Sequence, residues 1–225
     1  MRTDWIIRTR QDLCDAVERL GILPLFRTSI PGFSVEEHVA PEAWFDSGQD
    51  GVWEWKGPVI RETGCAYGRF FEKKNAFVRA DWFAELANFR RSGYDFDARF
   101  DEGLAPFADH ALFSLVQQHG PILSRRLKHL GDYRKGGRTG FDISMNRLQS
   151  QCYVTISDFV YELDRRGVPY GWGVAEYALP EQVFGAAFSE AVYAKTPEAS
   201  YARLFAHLQA LLPGADQKSL EHFLR

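Results

Sequence analysis

Leu13, Val17 and Leu20 recur at helical spacing behind Thr9, and Asp12 stands three residues after it, so the pattern predicts a capped helix that Gly21 stops. An apolar run over residues 22–26 is broken by Pro24, and residues 28–51 read as a loop punctuated by Pro31, Gly32, Pro41, Gly48 and Gly51. The loop is acidic, with Glu36, Glu37, Glu42, Asp46 and Asp50, and it carries the aromatics Phe33, Trp44 and Phe45. Loops of that length are functional or held by their own packing, so this one is a candidate contact for a protein partner. Val52-Trp53-Glu54-Trp55-Lys56 alternates and predicts a short strand, with Trp53 and Trp55 on one face and Glu54 on the other. Residues 66–71 and 76–80 flank a turn at 72–75 and predict a hairpin. A helix over 81–91 follows, with Trp82, Leu86 and Phe89 on one side, and 94–103 reads as a linker or short helix.

The clearest pattern comes next. Residues 108–119 are helical, with Leu112, Leu115 and Val116 on one face, and Gly120-Pro121 ends them. A second short helix spans 124–130, a glycine-rich basic turn spans 131–138, and Thr139 is the expected cap of a third helix reaching Gln151. The β-prone runs 153–161 and 171–179 then form a hairpin. Helix, helix, helix, hairpin is the order of a winged helix-turn-helix. The tail reads as two or three helices, one starting at Thr196-Pro197 and one broken off at Pro213-Gly214. The expected fold is α+β, divided as an N-terminal α+β region 1–103, a winged helix-turn-helix 104–180 and a C-terminal helical segment 181–225, with no internal repeat detectable.

Composition narrows the function. Of 225 residues 45% are hydrophobic and 15% aromatic, as a folded globular chain requires. The formal net charge of −3 excludes a uniformly basic nucleic-acid binder, so any such contact must be a local patch. Between residues 124 and 151 there are seven basic residues, Arg125, Arg126, Lys128, Arg134, Lys135, Arg138 and Arg147, against Asp132 and Asp142. Arg134, Lys135 and Arg138 precede the third helix, whose N-terminal amides favour phosphate, and Arg125 belongs to the same patch. Ser144, Asn146, Arg147 and Gln151 are chemically able to read base edges, Thr139 belongs to the same nucleic-acid-binding set, and Arg165 and Arg166 at the hairpin tip could straddle a groove. Duplex DNA is the expected partner. Cys14, Cys65 and Cys152 are too scattered for a framework and predict reduced thiols. Six histidines lack metal-ligand spacing, so no metal or cofactor is expected. No stretch resembles a signal peptide or a membrane span, which predicts a cytoplasmic protein without membrane contact.

The run Gly120-Pro121-Ile122-Leu123-Ser124 with Leu127-Lys128, then Phe141-Asp142 and Leu148-Gln149, resembles the winged-helix region of the AlkZ-like DNA glycosylase superfamily, in particular its short AlkZ-related members. Trp53-Glu54-Trp55-Lys56 fits the same members. The resemblance covers residues 10–185 and implies tandem winged helices and a link to DNA binding or repair. It also implies a Gln-apolar-Gln or Gln-apolar-Asp motif after a Leu-Gly pair, where the family positions its hydrolytic water. Here Leu20-Gly21 is followed by Pro24 and Phe26 at the two polar positions, and neither side chain can hold a water. Gln149-Ser150-Gln151 copies the spacing only by coincidence. The expected protein is therefore a DNA binder without that chemistry. Alternatives are a base-excising glycosylase using Glu54 or Glu62, with Trp53 and Trp55 stacking the base, and a protein-interaction scaffold.

Overall fold

The computed structural model describes residues 5–44 and 51–225. Phe45, Asp46, Gly48 and Asp50 of the acidic loop lie outside the described residues. Helix α1 (Arg10–Leu20) is capped as its sequence predicts: the Thr9 hydroxyl accepts the Asp12 N–H at 3.2 Å, and Asp12 accepts the Thr9 N–H at 2.9 Å. Strand β1 (Ile22–Pro24) follows at once, and the expected loop holds two one-turn helices, α2 (Val35–His38) and α3 (Pro41–Trp44). Glu36 accepts the Arg27 N–H at 2.9 Å, and Glu37 accepts the Gly32 N–H at 2.8 Å and the Ser34 hydroxyl at 2.7 Å. Those two acids hold the local turns.

The predicted strand at 52–56 is instead the first half of α4 (Val52–Thr63). Val52, Trp55, Val59 and Ile60 are buried at helical spacing, a period that runs straight through Gly57-Pro58. Pro58 forfeits the bond to the Glu54 carbonyl, yet the buried stripe continues beyond it. Trp53 and Trp55 consequently point to different sides, and Glu54 sits in the first turn, accepting the Gly51 N–H at 3.2 Å. Gly57 lets α4 lie directly on a strand of the second hairpin, since a Cβ there would come within 2.8 Å of Asp158 Oδ1.

Strands β2 (Ala66–Phe71) and β3 (Lys74–Val78) form the first hairpin, followed by α5 (Ala80–Arg91) and α6 (Phe96–Asp101). Then come α7 (Phe107–His119), β4 (Ile122–Leu123), α8 (Ser124–Leu130), α9 (Phe141–Ser150), β5 (Thr155–Leu163) and β6 (Pro169–Ala178). The tail holds α10 (Pro180–Phe184), α11 (Ala186–Tyr193), α12 (Pro197–Leu211) and α13 (Gln217–Leu224). Thr139 does not cap α9. Gly140, at φ 85°, occupies that position, a left-handed conformation that glycine adopts without strain.

One order therefore occurs twice, with two single turns standing for the short helix in the first copy: helix, strand, short helix, longer helix, hairpin. In each copy the lone strand pairs antiparallel with the second hairpin strand, β1 with β3 and β4 with β6. The halves join in one six-stranded antiparallel sheet, β1-β3-β2-β5-β6-β4. At the junction Tyr67 faces Ile156, and the buried Thr155 hydroxyl donates to the Tyr67 carbonyl at 3.0 Å. The N-terminal part of the sheet is covered on both faces. Ile22, Phe70, Ala76 and Val78 pack against α5, α11, α12 and α13, while Leu23, Tyr67 and Phe77 pack against α1 and α4. A third cluster sits beneath α7, α8 and α9, built on Leu112, Leu127, Leu148 and Tyr153. The sheet runs across residue 103, and the first of these cores draws residues from both sides of 103 and of 180.

Burial raises all three thiols, Cys14 to about 11 and Cys65 and Cys152 to about 12, so each stays protonated near neutral pH. All three are free.

Candidate nucleic-acid interface

The basic turn is a hydrogen-bonded knot. Its chain reverses at Asp132, whose carbonyl accepts the Arg138 N–H at 2.7 Å, and Tyr133 packs edge-on against Phe141. Gly137 is required there, because a Cβ would lie 2.1 Å from the Asp132 carbonyl oxygen. The knot holds Arg134, Lys135 and Arg138 outward, all exposed. Arg134 pairs with Asp132 at 2.7 Å; among the described residues Lys135 and Arg138 have no ion-pair partner. Arg125 pairs with Glu162, which ties α8 to β5. At the hairpin tip Asp164 accepts the Arg166 and Val168 N–H groups at 2.8 and 2.9 Å, leaving the Arg165 and Arg166 side chains exposed. Leu163, Val168, Tyr170 and Trp172 are exposed beside them, Trp172 at 75%.

The residues expected to read bases are placed otherwise. Ser144 is only 2% exposed and belongs to the core side of α9, so it cannot meet a ligand. Arg147 makes a two-point contact with buried Asp109, at 2.6 and 2.7 Å, and that carboxylate holds the guanidinium pKa above its ordinary value. Gln151 is the C-cap, at the far end of α9 from the basic turn, and Thr139 is exposed just before α9. Asn146 accepts a bond from Arg69 at 2.8 Å. What α9 turns outward at its start is Asp142 and Ile143, an acid and a 63%-exposed apolar side chain. The cations cluster on the preceding turn and the hairpin tip, so contact with phosphate suits this surface better than base reading. Gln149, of the coincidental Gln-Ser-Gln run, is buried and accepts the Arg69 N–H at 3.1 Å as a link between α9 and β2.

The carboxylate candidates separate. Glu62 is 42% exposed, pairs with Arg10 at 3.2 Å and accepts the Cys14 thiol at 3.5 Å, so it faces α1. Glu54 caps α4. Trp53 does stand in a ring cluster, 6.0 Å from Phe26, 5.8 Å from Trp44 and 6.3 Å from Trp172, but buried Trp55 faces elsewhere. A shallow open cleft of about 580 Å³ is lined by Trp55, Arg8, Arg10 and Glu42, among others, and includes neither Glu54 nor Glu62.

A residue that strand alternation hid is Lys56. On a helix it lies three positions after Trp53 and shares its face. Its Nζ is 4.6 Å from the Trp53 ring centroid and 4.4 Å from that of Phe159 on β5. Burial lowers its pKa to about 8, and the charge of Glu54 only partly opposes this. Replacing Lys56 by Met should therefore stabilise the fold by about 1–2 kcal/mol at neutral pH: the burial penalty is roughly 3 kcal/mol, less what the two ring contacts return. The folded-state pKa lies below that of the unfolded chain. The penalty is thus complete below pH 8 and vanishes as pH rises through 10.5, so the gap between variant and parent should close over that window. Urea midpoints at neutral and alkaline pH check this; a variant less stable at neutral pH contradicts it.

Among the described residues there is no group of three histidines, cysteines or carboxylates that could hold a metal ion. Among them, too, no helix is long and apolar enough to cross a membrane. A family model described as AlkZ related matches residues 7–225. No curated protein and no solved structure matches the chain.

Proposed function

This chain belongs to the AlkZ-related family, and we propose that it is a tandem winged-helix protein that binds duplex DNA through the basic turn before α9 and the tip of the β5–β6 hairpin. In this reading α7, α8 and α9 are the three helices of one winged helix and β5–β6 its wing, while α1, the short helices and α4 form the other, with β2–β3 as its wing. The repeated order and the matching pairings β1–β3 and β4–β6 support it. The observation that carries the binding is the outward display of Arg134, Lys135 and Arg138 on a chain whose net charge is −3. Arg125, Arg165 and Arg166 supply further phosphate contacts, and exposed Tyr170 and Trp172 suit a wing that presses against a groove.

The family's water-positioning chemistry has no support here. Pro24 is buried in β1 opposite Ala76, and Phe26 packs its ring against Trp44 and Trp53. The expected result is DNA binding without base excision by that route, in the cytoplasm and as part of DNA repair. Titration of a labelled duplex at about 50 and 200 mM salt tests the binding: affinity should fall by one to three orders of magnitude for about three to five phosphate contacts. Affinity indifferent to salt, or no binding at either concentration, would rule it out.

A further inference from the structure

The inner face of the β5–β6 hairpin meets α4 along a seam that holds an unusual amine. Lys56 Nζ lies between two ring faces, Trp53 at 4.6 Å and Phe159 at 4.4 Å. Among the described residues it makes no ion pair and no hydrogen bond, whereas Arg147 is anchored to the carboxylate of Asp109. The side chain keeps part of its surface, so the site is sheltered but reachable. Trp172, 75% exposed, stands edge-on to Trp53 at 6.3 Å and marks the outer end of the seam. Along β5 the chain runs from Phe159, beside the amine, to Arg165 and Arg166 at the tip within a few residues.

We infer that Lys56 is a nucleophilic amine whose substrate is the ring-opened aldehyde of an abasic site in DNA. The inference rests on the DNA-binding reading above. An amine reacts as a nucleophile only when unprotonated, and an anchoring carboxylate would keep it charged; here rings take the carboxylate's place, and the pKa near 8 leaves a usable neutral fraction at physiological pH. In DNA, loss of a base leaves the sugar C1′ in equilibrium with a free aldehyde, and the gap in the stack accepts an aromatic side chain such as Trp172. The lone pair of Nζ forms a bond to C1′ as the carbonyl π pair moves to oxygen. A proton passes from nitrogen to that oxygen, and a second proton taken up from solvent lets the hydroxyl of the carbinolamine leave as water, giving the protonated imine. One water leaves and nothing is oxidised or reduced. Burial, and after it the charges of Glu54 on α4 and Asp158 on β5, raise the Tyr161 pKa, so these three are titratable groups on the two elements that flank the amine.

The test is borohydride trapping on the full chain with a duplex carrying a natural abasic site, beside anisotropy binding to a duplex carrying a tetrahydrofuran analogue that has no aldehyde. The parent should give a covalent adduct, located at Lys56 by peptide mass spectrometry, with a trapping rate that rises through about pH 8. Lys56→Arg and Lys56→Met should trap at least about tenfold less while binding the analogue within about twofold of the parent. Binding of the analogue with no adduct, or an adduct mapped to another residue and undiminished in both variants, overturns the assignment and leaves the DNA-binding reading intact. Failure to bind the analogue at all removes both.

Discussion

Replacing Arg91 by alanine is expected to cost about 3–5 kcal/mol of stability, the largest loss foreseen for any single side chain in this fold. Arg91 closes α5 and is only 2% exposed. It donates to Glu181 on α10 at 2.6 Å and to the Cys152 carbonyl at 2.7 Å, and its charge lies 4.8 Å from the Tyr153 ring and 5.7 Å from that of Phe188. One side chain thus joins α5, the α9–β5 junction, α10 and α11. Truncation leaves a buried carbonyl without its donor and Glu181 without its cation, and empties the space between two rings. Arg91→Lys should recover only part of the loss, because an ammonium cannot serve two acceptors in fixed planar geometry. Urea unfolding of the parent and both variants measures this, and for a chain of this size the alanine variant should melt about 6–20 °C lower. A loss under about 1 kcal/mol would mean that water replaces the guanidinium at no cost.

The second half of the chain was far more legible than the first, for reasons that lie in particular residues. Helix α7 was readable from Leu112 and Val116, which bury one face, and α8 from buried Leu127, each beside strong stop signals at Gly120-Pro121 and Gly131. The β5–β6 hairpin was readable from its two β-prone runs, although two register shifts break its alternation. In the first half the corresponding third helix, α4, was disguised: Trp-Glu-Trp mimics a strand, and Pro58 looks like an end although the buried stripe passes through it. The helix preceding it is split into single turns too short to show any period. The repeated order of elements therefore has no counterpart as a repeat in sequence. The site suffered from the same misreading. Exposure of the basic turn follows from its glycines and charge, which a sequence shows, but burial of Ser144 depends on which face α9 turns inward. The setting of Lys56 depends on a ring from β5, about a hundred residues away, and no local pattern contains it.

The triple substitution of Arg134, Lys135 and Arg138 by alanine should lower duplex affinity by about two to three orders of magnitude near 0.1 M salt and flatten the salt dependence by about 2–3 units of slope, at roughly 0.9 per lost phosphate contact. Two of the three are the simplest case, since Lys135 and Arg138 are exposed and have no ion-pair partner among the described residues, so all of their charge is available to phosphate. Arg134 must first give up Asp132, and because both partners are largely exposed that exchange costs little. The net charge of −3 gives no long-range attraction to compensate, which makes the local loss larger than it would be on a basic protein. Arg125, Arg165 and Arg166 should sustain residual binding that still weakens with salt. The fold should be unaffected, as the three side chains bury no apolar surface, and an unchanged melting temperature shows that the loss is one of contact. Arg147→Ala is the contrasting control: it strips buried Asp109 of its cation, so it should lower stability while leaving the salt slope where it was. A triple variant that keeps the parental slope would place the phosphate contacts elsewhere on the molecule, and a reduced slope with Arg147→Ala would return that side chain to the interface.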